Sequence, residues 1–305
     1  MAEFPSSSWK DYELIDSGAG AKLERFGSYV LSRPEPKALW DKSLSDAEWR
    51  RMAHTSFTPG AGFGKAGKED SGTWNRLRKM DDQWWIGYGN TDGLRMDLRL
   101  GLTSFKHVGV FPEQAPNWDY IYLQTGALKE RLGRAPRVLN LFAYTGGASL
   151  AAKVAGADVT HLDSVRQVVT WAKGNMELSR CSDIRWVVED ALKFVKREAR
   201  RGNTYQGLIL DPPAYGHGPN GEKWKLDECL FEMLRECSAI LAPKDSFMVL
   251  NLYSNGYSAV LADTVVRSAF GSLLAAGSKL SYGELVLRDR FDKALPLSVF
   301  SRLLL

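Results

Sequence analysis

Arg137-Val-Leu-Asn-Leu-Phe-Ala-Tyr-Thr-Gly-Gly-Ala-Ser149 decides the fold. Its first six residues are a short apolar run, which predicts a buried strand over 137–142. Gly146 and Gly147 then permit a tight turn and close approach of a ligand to the backbone. A helix over 147–155 follows, and the N–H groups of its first turn have no partner inside the helix. The pattern is not G-x-G-x-x-G, so a nicotinamide dehydrogenase is disfavoured. Taken alone, the stretch is equally a strand-to-helix turn without a ligand.

The same alternation continues to the C-terminus. Strands are expected over 158–163, 184–188, 205–210 and 247–252, with helices over 165–178, 191–201, 226–241 and 257–276. Another helix, over 118–132, precedes them. Repeated strand–helix units demand a parallel sheet covered by helices on both faces. The last two strands, 280–287 and 297–305, have no helix between them, so an antiparallel strand is expected at one edge. The fold class is therefore α/β, Rossmann-like and mostly parallel.

Before residue 115 the texture differs. Short strands are expected over 12–15, 28–32, 83–88 and 94–100. Leu94-Arg-Met-Asp-Leu-Arg-Leu100 alternates with period two, and Asp92-Gly93 ahead of it signals a hairpin turn. The stretch 58–72 holds five glycines and reads as a loop or linker. A small, mostly β unit over 1–115 is expected ahead of an α/β unit over 116–305. Six of its tryptophans (Trp9, Trp40, Trp49, Trp74, Trp84 and Trp85) are core by default.

The 305 residues are 44% apolar and 25% charged, which excludes disorder, collagen and coiled coil for the whole chain. No apolar run approaches the ~18 residues that a membrane-spanning helix needs, and the N-terminus has no signal-peptide pattern. Cys181, Cys229 and Cys237 are too few and too unpatterned for a disulfide framework or a zinc site, so reduced thiols in the cytoplasm are expected. Net charge is +4, and the excess lies in the middle third. Lys193, Lys196, Arg197, Arg200 and Arg201 cluster there. They fit a nucleic-acid partner or simply a solvated helix face.

In open parallel sheets, ligands bind beyond the carboxyl ends of the strands. Asp163 follows the second strand, where a carboxylate can accept bonds from both hydroxyls of a ribose. Glu189-Asp190 follows the third. Asp190 is either an adenine contact or a helix N-cap. After the fourth strand comes Asp211-Pro-Pro-Ala-Tyr-Gly216. Two prolines make a rigid corner without N–H donors, which holds Asp211 and the Pro212 carbonyl as acceptors. Tyr215 can stack on a base. Residues 216–225 read as a mobile lid. His54, His107 and His161 read as structural, and His217 in the lid is a weak general-base candidate.

The order of the 140–149 turn, Asp163, Asp190 and Asp211-Pro-Pro-Ala-Tyr-Gly216 resembles the class I S-adenosylmethionine-dependent methyltransferases. Within them it is similar to the bacterial large-subunit ribosomal RNA cytosine-C5 and guanine-N7 methyltransferases. Phe142-Ala-Tyr-Thr-Gly-Gly147 and Asp211-Pro-Pro213 carry the likeness, and Lys106-His-Val-Gly-Val-Phe-Pro-Glu-Gln114 resembles a segment that borders the cofactor in that group. The likeness covers residues 80–305. It implies a seven-stranded sheet with the last strand antiparallel, S-adenosyl-L-methionine as cofactor and ribosomal RNA as substrate. It implies that residues 116–305 bind the cofactor and that 1–115 lie on the substrate side. By position, Phe142, Ala143, Tyr144, Thr145, Gly146 and Gly147 would contact the methionine part. Asp163 and Ser164 would hold the ribose, Asp190 and Ala191 the adenine. Gln114 and Asp211 would border the cofactor, and Asp211, Pro212 and Tyr215 would face the methyl acceptor.

Cytosine-C5 enzymes of this group place a cysteine just after the fifth strand. Here that stretch is Asn251-Leu-Tyr-Ser-Asn-Gly256, without cysteine. Direct in-line transfer to nitrogen or oxygen is the expected chemistry. Near-neutral charge over the outer thirds keeps a small-molecule or protein acceptor as the alternative.

Overall fold

The computed structural model of the chain describes residues 1–63, 70–253 and 256–305. The glycine-rich stretch 58–72 and the stretch 251–256 therefore lie partly outside the described residues. The chain divides into two compact units. The larger holds Met1–Glu3, Pro116–Leu285 and Ser298–Leu305, and the smaller holds Phe4–Ala115 and Val286–Leu297.

A two-residue strand, β1 (Ala2–Glu3), belongs to the larger unit. In the smaller unit β2 (Tyr12–Gly18), β3 (Ala21–Phe26), β4 (Tyr29–Pro34), β5 (Thr55–Pro59) and β6 (Gly72–Arg76) form one five-stranded sheet. Between β4 and β5 stands the short helix α1 (Asp46–Met52), capped reciprocally by Ser45 and Glu48. β7 (Gln83–Gly89) and β8 (Arg95–Gly101) pair as an antiparallel hairpin around the expected Asp92-Gly93 turn. Trp9, Trp49 and Trp84 are buried, whereas Trp85 is 58% exposed because strand alternation sends it to the face opposite Trp84.

The larger unit continues with α2 (Ala115–Leu132), β9 (Arg137–Leu141), α3 (Gly147–Val154), β10 (Asp158–Asp163), α4 (Arg166–Leu178), β11 (Ile184–Val188) and α5 (Ala191–Arg200). Then come β12 (Gly207–Leu210), the hairpin strands β13 (Tyr215–His217) and β14 (Lys223–Lys225), α6 (Leu226–Ser238), β15 (Phe247–Leu252), α7 (Ala259–Phe270), β16 (Lys279–Arg288) and β17 (Ala294–Leu304). Its sheet has the order β1-β16-β17-β15-β12-β9-β10-β11. β9, β10, β11, β12 and β15 are parallel neighbours, and the near-continuous apolar runs of β9, β12 and β15 are buried on both faces, whereas β11 at the edge is mostly half-buried. α5, α6 and α7 pack side by side. Right-handed crossovers put them on the face opposite α3 and α4.

Two features of the sheet differ from expectation. An eighth strand is present, because β1 adds in parallel to β16. The antiparallel strand β17 lies inside the sheet, between β15 and β16, rather than at its edge. Its apolar run admits both positions, and burial on both flanks is what its nearly unbroken pattern of buried residues reflects. The segment 216–225, expected as a lid, has a regular structure of its own. It is the β13–β14 hairpin, with Trp224 buried and its Nε1 donating to the Pro213 carbonyl at 2.7 Å.

Candidate active site

Strand order reverses direction between β9 and β12, so the crevice at their carboxyl ends is the switch point where ligands bind in such sheets. The turn after β9 begins at Phe142. Phe142 (φ 55°), Tyr144 (φ 49°) and Gly146 (φ 93°) all adopt the left-handed region. Two non-glycine residues there cost about 1 kcal/mol each, strain that clusters at functional sites. Ala143 N–H donates to the Leu162 carbonyl at 3.0 Å, and Gly146 N–H to the Ala143 carbonyl at 3.1 Å. Gly146 is required twice over: its φ is positive, and a Cβ there would stand 3.2 Å from that of Ala172. As N-cap of α3 it offers no side chain to the first-turn N–H groups, which leaves them for a polar ligand.

Asp163 closes β10 under this turn. Its Oδ2 accepts from Tyr144 N–H and its Oδ1 from Val165 N–H, both at 2.9 Å. Burial raises its pKa, and the Val165, Tyr144 and Ser164 N–H groups pull the other way. With those three N–H groups engaged, one of the carboxylate's four lone pairs remains for a ligand hydroxyl. Below the turn, Asn140 Nδ2 donates to Ser149 Oγ at 2.9 Å, and Ser149 Oγ lies 2.9 Å from His161 Nδ1. Asn175 Nδ2 donates to the Thr145 carbonyl at 2.9 Å.

Asp211 follows β12, and its N–H reaches the Leu141 carbonyl at 3.5 Å, beside the origin of the turn. Asn251, at the end of β15, donates from Nδ2 to Asp211 Oδ1 at 2.6 Å. Pro212 is buried. Trp224 ties this corner to the turn, since it holds the Pro213 carbonyl and its ring lies 4.8 Å from that of Phe142. Tyr215 sits in β13 with its hydroxyl 3.0 Å from His217 Nε2.

The structure thus brings together Phe142, Ala143, Tyr144, Thr145, Gly146, Gly147, Asp163, Ser164, Asp211 and Pro212. Asp190 and Ala191 open α5, where the Asp190 carboxylate caps the helix by accepting from Lys193 N–H at 2.9 Å. Gln114 ends a 3-10 turn, Pro112–Gln114, in the smaller unit. Sequence reasoning did not single out Asn251, Ser149, Asn140 or Trp224 as polar partners. Each sits in or beside an apolar run, and only the fold shows what it meets. The basic cluster on α5 is largely ion-paired: Lys193 with Glu222, Arg197 with Glu189, and Lys196 Nζ with Glu232 Oε1 at 2.5 Å. No group of three or more His, Cys, Asp or Glu side chains suited to a metal ion occurs among the described residues.

A mostly parallel sheet with this strand order, a glycine turn and carboxylates at successive strand ends is a Rossmann-like arrangement, the class of fold that binds ligands at the carboxyl ends of its strands. A crystal structure of an S-adenosylmethionine-dependent methyltransferase from Agrobacterium tumefaciens aligns with 99% of this chain and 92% of its own, at TM-score 0.86 and 38% identity. The chain belongs to the S-adenosylmethionine-dependent methyltransferases, and S-adenosylmethionine is its cofactor. A Streptococcus mutans structure given the same assignment aligns over 98% of this chain and 76% of its own at TM-score 0.69 and 16% identity, a likeness of fold alone. The ribosomal RNA large subunit methyltransferase K/L of Shewanella frigidimarina is 29% identical over 253 residues, 79% of this chain and 34% of that protein. The chain therefore spans about a quarter to a third of the length of the curated relatives it matches. No protein-family model matches it. No helix among the described residues is long and apolar enough to cross a membrane.

Proposed function

We propose that the chain methylates a base of ribosomal RNA in the cytoplasm, by direct in-line transfer without a covalent enzyme–base intermediate. The corner Asp211-Pro-Pro213 carries this reading. It stands at the switch point, its carboxylate is fixed by Asn251, and Trp224 fixes the Pro213 carbonyl beside the turn. The names of the K/L relatives support ribosomal RNA as the substrate.

S-adenosylmethionine supplies an electrophilic sulfonium methyl. Tyr144, Thr145, Gly146 and the α3 N-terminus would hold the amino-acid part of the cofactor. Asp163, with Ser164, would accept from the ribose hydroxyls, and Asp190, with Ala191, would face the adenine. Gln114 would border the cofactor. Asp211 and the Pro212 carbonyl would orient the acceptor, and Tyr215 would stack on its ring. Positioning accounts for most of the acceleration in such transfers. Cys229 and Cys237 lie on α6, and burial pushes the Cys237 thiol well up, away from the thiolate that C5 chemistry needs.

The ion-paired state of the α5 cluster favours a second reading, a small-molecule or protein acceptor. Transfer of labelled methyl to total RNA from cells lacking the protein, beside metabolite and protein fractions, separates the two. Label in RNA, on a nitrogen or oxygen after nucleoside digestion, is expected. Label only in another fraction would remove the RNA reading, and a C5 product would remove direct transfer.

A further inference from the structure

The smaller unit holds a cavity of about 370 Å³. That volume lies in the range of small-ligand sites. The cavity opens beside the edge strand β2, where Leu14 bridges Asp289, the residue after β16, in parallel. Phe4, Trp9 and Tyr12 give it aromatic walls. Two of them are locked from behind. Trp9 Nε1 donates to the Gly87 carbonyl at 2.7 Å, and the Tyr12 hydroxyl donates to Glu24 Oε1 at 2.9 Å. With those polar ends engaged, the pair offers the cavity ring surface. Their centroids stand 5.1 Å apart. Phe4 is half-buried and carries the Arg288 guanidinium 4.7 Å from its centroid.

The charges around the cavity are unequally spent. Glu13 accepts from Nε and Nη2 of Arg290 and lies 3.4 Å from Arg25. Asp289 Oδ1 accepts the N–H groups of Phe291 and Lys293, and its Oδ2 accepts the Ser17 hydroxyl. Both carboxylates are thus engaged. Among the described residues that line the cavity, Arg288 is the one cation. Its Nη1 bonds the carbonyl and carboxylate of Asp292. A guanidinium has five N–H donors in a fork, and those on Nε and Nη2 have no partner among the described residues. We propose that this cavity takes one unpaired nucleotide of an RNA strand, its base against Phe4, Trp9 and Tyr12 and its phosphodiester on Arg288. This rests on the reading of RNA as the substrate. Charge selects a strand over a free mononucleotide. A phosphodiester carries one negative charge, which Arg288 matches, whereas a terminal phosphate carries close to two at neutral pH. Aromatic walls grip any base by stacking.

The test uses the full chain with S-adenosylhomocysteine saturating the cofactor site and labelled hexauridylate as the probe, followed by anisotropy. Phe4→Leu should weaken binding by about 5- to 100-fold. Arg288→Gln should lower the log–log salt slope by about 0.7. Arg288→Lys, which keeps the charge and loses the fork, should recover part of the affinity. A probe carrying 5-iodouridine should crosslink on irradiation to Phe4, Trp9 or Tyr12, and uridine monophosphate should bind more weakly than the hexamer. In a wild type that labels RNA with methyl, three results would each overturn the cavity assignment and leave the RNA reading standing. They are no hexamer binding, equal affinity in Phe4→Leu and Arg288→Gln, and crosslinks only at other residues. Tighter binding of uridine monophosphate than of the hexamer would overturn it as well. A wild type that neither binds the hexamer nor labels RNA would take down both readings. Should Phe4→Leu not fold, the Arg288 variants and the crosslink decide.

Discussion

The 2.6 Å bond from Asn251 to Asp211 joins the ends of two neighbouring strands at the proposed acceptor corner. Asn251→Ala should leave cofactor affinity near the wild-type value and cut the methyl-transfer rate constant by about 10- to 100-fold, because a misplaced acceptor loses orientation rather than cofactor binding. Equal losses in both would mean that Asn251 supports the whole crevice. His161 gives a prediction in pH. Burial lowers its pKa to about 3 from an ordinary value of 6.5. The unfolded chain therefore takes up this proton first as pH falls. The contribution is whole above about 6.5 and is lost by ~1.4 kcal/mol per pH unit on the way down to about 3. His54 and His107 are lowered too, also by burial first, and share the sign. The difference in slope between wild type and His161→Phe in urea unfolding at pH 4.5 to 7 isolates the one residue. Carboxylates such as Asp163 and Asp211 were legible in the sequence because they follow apolar runs where such sheets open. Asn251, Ser149 and His161 were not, because a polar residue inside a buried run acquires meaning only from a partner brought up by the fold.

Secondary elements were legible wherever hydrophobic period decided them. The parallel strands and α3 to α7 stand close to their expected positions. Their ends moved for local reasons: Phe142 leaves β9 because its φ is positive, and α7 stops at Phe270 with a 3-10 turn behind it. The smaller unit was read less completely. β5, β6 and α1 are short, at five to seven residues, too few for a period to show. β17 needed the sheet itself, since its sequence does not say which strands flank it. Asp190 shows how one position serves two levels of structure. As the N-cap of α5 it accepts from Lys193 N–H, and replacing a cap by alanine costs ~1 kcal/mol. Asparagine caps as well as aspartate. Asp190→Asn should therefore unfold within about 0.5 kcal/mol of wild type, and Asp190→Ala should lose ~1 kcal/mol in denaturant titrations. If Asp190 also faces adenine, both variants should bind S-adenosylhomocysteine more weakly. Affinity lost only in the alanine variant would reduce its role to the cap.

Over the whole molecule the excess of four positive charges is small for a polyanion partner, and its densest cluster is already engaged. Lys193, Lys196 and Arg197 each hold a carboxylate, from the β13–β14 connection, from α6 and from the end of β11 respectively. Exposed pairs of this kind contribute little to stability, but each phosphate contact made there would first have to displace a carboxylate. On the proposed reading an RNA substrate would be gripped elsewhere, with α5 acting as a brace between hairpin and sheet. Salt dependence measures this directly, because each phosphate neutralised on a single strand adds about 0.7 to the log–log slope of affinity against salt. Replacing all three residues by glutamine should change that slope by less than about 0.7, under one contact. A fall of about 2 would show that phosphates win the competition, and that α5 is the face along which the RNA backbone runs.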